Sequence, residues 1–303
     1  MKKLCEMTNE LTLTFLKAGL QTTLQDNGRA GLQHLGVPIG GVLDRNSATM
    51  ANHLVGNSAN VPVLEITMIG PEILFDSDAL VAITGANFEL YCNDKIIENN
   101  IPVAIKSGSI IKFGKLKSGC RAYLAVAGEW KAKKWKDSVS PLFQVPEATP
   151  DSVIKKGTKL KIDSDYLNKT GSFDENKTPI LSYKVKLRVK PGPEFDSISR
   201  IAIAKFFGQG HEISQDANRM GYRLKTHLMS EDERAEMISS GIIPGTIQIT
   251  GSGQPIILLN DAQTTGGYPR IATIMNEDLD QLAQLKPGDE IWFSIALDGS
   301  SKL

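Results

Sequence analysis

Cysteine, histidine and net charge are all scarce in this chain, and each shortage removes a class of function. Three cysteines occur among 303 residues, and Cys5, Cys92 and Cys120 stand singly. With no CxxC pair and no even set, neither a disulfide framework nor a thiolate metal cluster is encoded, and a reducing cytoplasmic setting is the expectation. There are four histidines. His211 opens HEISQ, which starts like a zinc-protease helix, but Gln215 stands where the second ligand belongs. No zinc site is therefore expected. The 34 basic and 34 acidic residues cancel, so nothing points to a nucleic acid or an acidic membrane surface as partner.

Long apolar runs are lacking too. MKKLCEMTNELTL has two lysines but no apolar core, and no signal peptide is expected. Met237 to Asn260 carries no charge, but Gly241, Pro244, Gly245, Gly251, Gly253 and Pro255 cut it into strand-length pieces. Such a stretch does not make a spanning helix. GKLKSGCR, from Gly114, has the outline of a phosphate loop without the Lys-Ser/Thr after its second glycine. No serine sits in a G-x-S-x-G elbow, and no Rossmann fingerprint occurs. What remains, at 41% hydrophobic and 22% charged, is a soluble globular composition. The length suits one large β domain or two subdomains.

Taken in order, Leu11 to Leu16 alternates and predicts a strand. A long glycine-rich loop follows, with Gln25, Asp26, Arg29, His34, Asp44 and Arg45 as its chemically capable members. Asp26 can cap a turn, pair with Arg29, or serve a site. Asp44 is placed to cap a short helix over 44–55, with Ala48, Ala51, Leu54 and Val55 on one face and Gly56 as the stop. Strand-like segments run on to Val126, and Glu65 among them is either a paired structural carboxylate or a site residue. Residues 1–165 make a first β subdomain, 166–183 a polar linker, and 184–303 a second β subdomain. In the second, Ile198, Ile201, Ala202 and Phe206 share a helical face over 198–207. Ser230 and Glu233 form a capping box for a helix through Ile238, and a last short helix spans 278–285. DANRMGYRL brings Asn218, Arg219, Tyr222 and Arg223 together. Its arginines suit bidentate binding of carboxylate or phosphate, or else buttress carboxylates across the two halves.

The densest polar stretch lies between two apolar runs, Ile256–Leu259 and Ile271–Ile274. It contains Asp261, Gln263, Thr264, Thr265, Gly266, Gly267, Tyr268 and Arg270. The twin glycine frees the backbone for φ > 0 or for close approach of a ligand. Successive N–H groups there can form an anion-holding nest.

QTTGGYPRIATI, preceded by GTIQITGSGQPIILL, resembles the signature of the biotin-dependent carboxyltransferase family, also called the allophanate hydrolase subunit 2 family. QDNGRAG, GVPIGGVLDR, Thr84-Gly85-Ala86, AYLAVAGEW and DANRMGYRL match it in order, from Gly19 to Phe293. Glu129-Trp130 and SVSPLFQ depart from the second glycine and Gly-Ser-Arg-Ser-Thr-like run usual in members, which concerns one local loop. The resemblance implies a mainly β, cyclophilin-like β-barrel architecture in two β-rich subdomains with a few short helices. For a chain of this length it implies, foremost, one component of an ATP-dependent 5-oxoprolinase acting on a small-molecule substrate. Its partners would be the A-type and B-type components of that enzyme, the latter of the allophanate hydrolase subunit 1 or KipI type. ATP is the implied cofactor, bound either by this chain or elsewhere in the complex. Alternatives within the family are a KipA-like regulator of a kinase-inhibitor partner and a urea-type carboxyltransferase. The one Met-Lys is at the initiator, so no covalent biotin is expected on this chain. On this reading Asp26, Arg29, Asp261, Thr264 and Thr265 carry catalysis. Asn218, Arg219, Arg223, Gln263, Gly266, Gly267, Tyr268 and Arg270 bind substrate or phosphate.

Overall fold

The structure, a computed structural model, describes residues 9–164, 181–230 and 237–296. The expected linker at 166–183 falls almost wholly outside them, as does most of the helix expected from Ser230. The chain divides into two compact units, one of Met1–Arg29 with Gly40–Leu181, the other of Ala30–Ile39 with Ser182–Leu303. Both are β-rich, as the resemblance implies. Among the described residues no helix is long and apolar enough to cross a membrane.

The first unit contains β1 (Asn9–Lys17), β2 (Gln21–Gln25), α1 (Arg45–Leu54), β3 (Val63–Thr67), β4 (Glu72–Phe75) and β5 (Ala79–Cys92). β6 (Lys95–Ile97), β7 (Pro102–Ile105), β8 (Ile110–Val126), β9 (Gly128–Trp130) and β10 (Lys159–Ser164) follow. They form one sheet in the order β2-β3-β8-β4-β1-β10-β9, with β5 along the other side of β8. β8 is long because its first half pairs with β4 and its second with β3, while β5 runs antiparallel to both halves. The loop expected between the first strand and the helix is shorter than read, because Gln21–Gln25 pairs with Val63–Thr67 as β2.

Helix α1 starts and stops where the residues dictate. The Asp44 carboxylate accepts from Ser47 N at 2.8 Å and from Ser47 Oγ at 2.6 Å, satisfying an orphan first-turn donor. Gly56, at φ 72°, ends it. Glu65 is the structural carboxylate of the two alternatives. It is 1% exposed and accepts from Leu43 N and Tyr123 Oη, both at 3.0 Å, with Arg121 Nε at 3.6 Å. Burial pushes the Tyr123 phenol well above its ordinary value, and the charges of Glu65 and Asp44 add to that. The phenol therefore stays protonated and donates.

The second unit holds β11 (Lys184–Pro191), α2 (Arg200–Gly208), β12 (His211–Ala217), β13 (Gly221–Leu224), β14 (Ser240–Gly241) and β15 (Thr246–Ile249). It continues with β16 (Pro255–Leu258), β17 (Thr265–Gly266), β18 (Arg270–Ile274), α3 (Leu279–Ala283) and β19 (Glu290–Ile295). Seven strands close a barrel in the order β11-β18-β15-β16-β13-β12-β19, and β19 returns parallel to β11. β14 and β17 form a separate two-stranded ribbon. In α2, Ala202 and Phe206 are buried as the period predicts, and Ile198 is buried just before it, but Ile201 is 68% exposed. The helix begins only at Arg200, capped by Ser199, so Ile201 falls on its outer side.

His211 opens β12 fully buried. Its Nε2 donates to the Phe206 carbonyl at 2.9 Å, and its ring lies 5.4 Å from that of Phe293. Nδ1 has no hydrogen-bond partner among the described residues. Desolvation lowers its pKa, opposed by the Phe206 carbonyl and by Glu290. Below its ordinary value of about 6.5 the unfolded chain takes up a proton that the folded chain refuses. Stability is therefore lost as pH falls through that value toward the lower folded one. Melting curves at about pH 7.5 and about pH 5.5 are expected to show the drop, and His211→Gln should shrink it.

Candidate functional site

The twin-glycine stretch is not the tight turn its composition suggests. Thr265 and Gly266 form β17, paired with Gly241 and Ser240, and neither Gly266 nor Gly267 adopts positive φ. The nest reading fails on that ground, because a nest alternates right- and left-handed residues. Close approach is what the glycine provides. A Cβ at Gly266 would lie 2.7 Å from Gln248 Nε2. Thr264 is tied by its carbonyl, which accepts from Ile242 N at 3.0 Å, and Thr265 is exposed.

Beside this stretch the barrel opens a cleft of about 530 Å³. β12 contributes Asp216, the turn after it Asn218, β13 Arg223 and β15 Gln248, and the loops around β16 add Thr250, Ser252 and Gln263. Tyr268 stands at the junction with a second hollow of about 450 Å³, lined by Met229, Met237, Ile249, Gly267 and Pro269. Of the expected binding residues, the cleft thus gathers Asn218, Arg223, Gln263 and Tyr268. The residue pattern did not single out Asp216, Gln248, Thr250 or Ser252. Asp216 opens the DANRMGYRL run, but nothing in its spacing marks it.

Among the described residues, Arg223 and Asp216 are the two charged groups lining the cleft. They lie on adjacent strands, each next to a member of the Ala217–Tyr222 pair. Arg223 is half-buried, and among the described residues no carboxylate lies within ion-pair distance of it. A guanidinium so placed presents its fork to an anion.

The other arginines are committed elsewhere. Arg219 Nε meets Asp261 Oδ2 at 2.7 Å and its Nη2 meets Oδ1 at 3.1 Å, a bidentate pair with both residues at most 5% exposed. Each satisfies the other, so Arg219 as a substrate grip and Asp261 as a base are both corrected to a structural clasp. It joins the turn after β12 to the segment after β16, where Asp261 N also donates to Arg219 O. Arg270 is likewise engaged: Nε meets Glu194 Oε2 at 2.8 Å, Nη2 meets Oε1 at 2.6 Å, and Nη1 donates to Gly241 O at 3.0 Å. Arg270 holds the Glu194 carboxyl below the usual range. That pair anchors the bend before α2, and Arg270 offers no free fork to an oxyanion.

Asp26 and Arg29 belong to the first unit. The Asp26 carboxylate accepts from Gly28 N, Ser138 Oγ, Val139 N and Ser140 Oγ, at 2.7 to 2.9 Å. Those four donors commit the carboxylate to this loop. Arg29 is 3% exposed, donates to the Ser140 carbonyl, and lies 5.5 Å over the Trp135 ring. Both pin the SVS segment, so the loop that departs from the family pattern is the one these residues hold. Among the described residues no cluster of histidine, cysteine and carboxylate is arranged for a metal.

The closed barrel, the paired sheet of the first unit and the glycine-flanked polar cleft define a carboxyltransferase-type β protein. The chain belongs to the family described as carboxyltransferase domain, subdomain A and B, which matches residues 35–295. It is 36% identical over 282 residues to the C-type subunit of 5-oxoprolinase from Escherichia coli (strain K12), covering 93% of this chain and 90% of that one. Against urea amidolyase of Saccharomyces cerevisiae it is 30% identical over 296 residues, covering 91% of this chain and 16% of that one. The crystal structure of K. lactis urea amidolyase superposes with a TM-score of 0.85 at 28% identity. That match covers 94% of this chain, which spans 19% of the urea amidolyase chain.

Proposed function

We propose that this chain is the C-type component of an ATP-dependent 5-oxoprolinase, which with the A-type and B-type components hydrolyses 5-oxo-L-proline to L-glutamate. The observation that carries the reading is the match to the Escherichia coli C-type 5-oxoprolinase chain over nine-tenths of both proteins. The chemistry of the cleft agrees. The substrate has one carboxylate and one neutral lactam, and the cleft offers one unengaged guanidinium, Arg223, among the carboxamides of Asn218, Gln248 and Gln263. Arg223 holds the carboxylate, while the carboxamides and the Thr250 and Ser252 hydroxyls face the ring. A lactam is a poor electrophile. Transfer of the γ-phosphoryl group to its oxygen opens the ring carbon to a first water, the C–N bond then breaks to leave an acyl phosphate, and a second water releases phosphate. ATP and two waters enter; glutamate, ADP and phosphate leave. Among the described residues Arg223 is the single cation lining the cleft, too few to hold a triphosphate, so ATP is assigned to the assembled complex.

The test is co-expression with the A-type and B-type chains and an assay of glutamate formed from 5-oxo-L-proline with ATP. Formation that depends on all three chains supports the reading, and its absence in a purified three-chain complex refutes it. The likeness to urea amidolyase favours one competing reading, carboxyl transfer from a biotinylated carrier supplied by another chain. Activity on urea with such a carrier would establish it. Tight association with the B-type chain and no turnover of either kind would instead indicate a KipA-like regulator.

A further inference from the structure

We propose that Gln248 is the specificity residue of this cleft: its Oε1 accepts the ring N–H of a lactam, and Gly266 is glycine so that Gln248 can reach that position. The inference rests on the cleft being the lactam site. Gln248 lines the cleft yet is 1% exposed. Its Nε2 donates to the Tyr268 carbonyl at 3.1 Å. A backbone carbonyl only accepts, so this contact fixes which end of the carboxamide is which. Oε1 is then left with no donor among the described residues. Oε1 is not sealed from water: with no donor among those residues it stays open to the cleft, where a ligand donor can take the place of solvent. Across the cleft wall, Arg223 supplies the fork for a carboxylate. An acceptor for N–H together with a cation for an anion matches a ring amide bearing a carboxylate.

Gly266 explains how the carboxamide is held. A Cβ there would stand 2.7 Å from Gln248 Nε2 and 3.2 Å from Oε1. Since Gly266 does not use positive φ, space and not backbone freedom is what its missing side chain provides. The obstructed atoms are the end of a flexible side chain. Gly266→Ala is therefore expected to fold and to push Gln248 aside. Two substitutions on different strands should then give one phenotype.

The experiment compares 5-oxo-L-proline with its lactone twin, in which ring oxygen replaces N–H, as competing ligands of the three-chain complex. The wild type should prefer the lactam by about tenfold or more, as a site built around a ligand donor rejects an analogue lacking it. Q248L and G266A should both bring that ratio toward one, raise KM more than they lower kcat, and leave lactone affinity unchanged. A ratio that stays at the wild-type value in folded Q248L, or in G266A, overturns the inference while leaving the proposed function intact. A second measurement does not need turnover. In the isolated full chain, the Gln248 side-chain amide resonances, identified by their loss in Q248L, should shift with 5-oxo-L-proline and not with the lactone. If the complex makes no glutamate but these resonances shift, the functional reading falls and the Gln248 assignment stands. If they do not shift, the assignment falls.

Discussion

Asp261→Ala is expected to lower the free energy of unfolding by about 3–5 kcal/mol, the cost of leaving one member of a buried ion pair without the other. Arg219 is 2% exposed and Asp261 5% exposed, and the guanidinium meets both carboxylate oxygens. Removing the carboxylate strands a charge that cannot shed its proton, because arginine stays ionised. Arg219→Ala should cost a similar amount. The double variant should cost less than the sum of the two, since the second change removes the orphan left by the first. Urea denaturation of the four proteins measures this, with the midpoint moving and the slope unchanged. Should both single variants keep wild-type stability while the complex loses turnover, the pair belongs to catalysis and the clasp assignment is wrong.

Arg223→Ala is expected to behave in the opposite way. Its guanidinium is half-buried, lines the cleft and pairs with no carboxylate among the described residues. Folding gains little from it, so the melting temperature should hardly move. Binding should suffer, because a charge-assisted fork to the substrate carboxylate is lost. A fall of about a hundredfold in kcat/KM, about 2.7 kcal/mol, is the expected size. Arg223→Lys should recover only part of it, since an ammonium restores the charge and not the two parallel hydrogen bonds. Kinetics of the reconstituted complex decide, and an Arg223→Ala complex with unaltered kcat/KM would remove the residue from the site.

Local features were legible in the sequence wherever neighbouring residues settle them. Asp44 as a cap, Gly56 as a stop and the buried face of α1 follow from bonds a few residues apart. The apolar runs at Ile256 and Ile271 became β16 and β18 for the same reason. Partner choice was not legible. Arg219 and Asp261 lie far apart along the chain, and nothing in either motif says that one neutralises the other. Glu194 and Arg270 pose the same problem, as do Asp26 and the serines of SVS. Arg219, Asp261, Arg270 and Asp26 were candidates because charged groups in polar loops suit a site, and the structure shows each bonded to a partner that fastens a loop. Gln248 escaped notice for the converse reason. It sits inside the apolar-looking run TIQI, where alternation alone reads as a strand, and only its contact with Gly266 sets it apart.

The parallel return of β19 onto β11 has a consequence for synthesis. Lys184 pairs with Glu290 and Val189 with Ile295, so the ring is sealed by the earliest and latest strands of that unit. Until Ile295 clears the ribosome, the nascent sheet is open, with two bare edges able to recruit a neighbouring chain. A message cut short between Ile274 and Glu290 should therefore yield inclusion bodies rather than a smaller soluble protein.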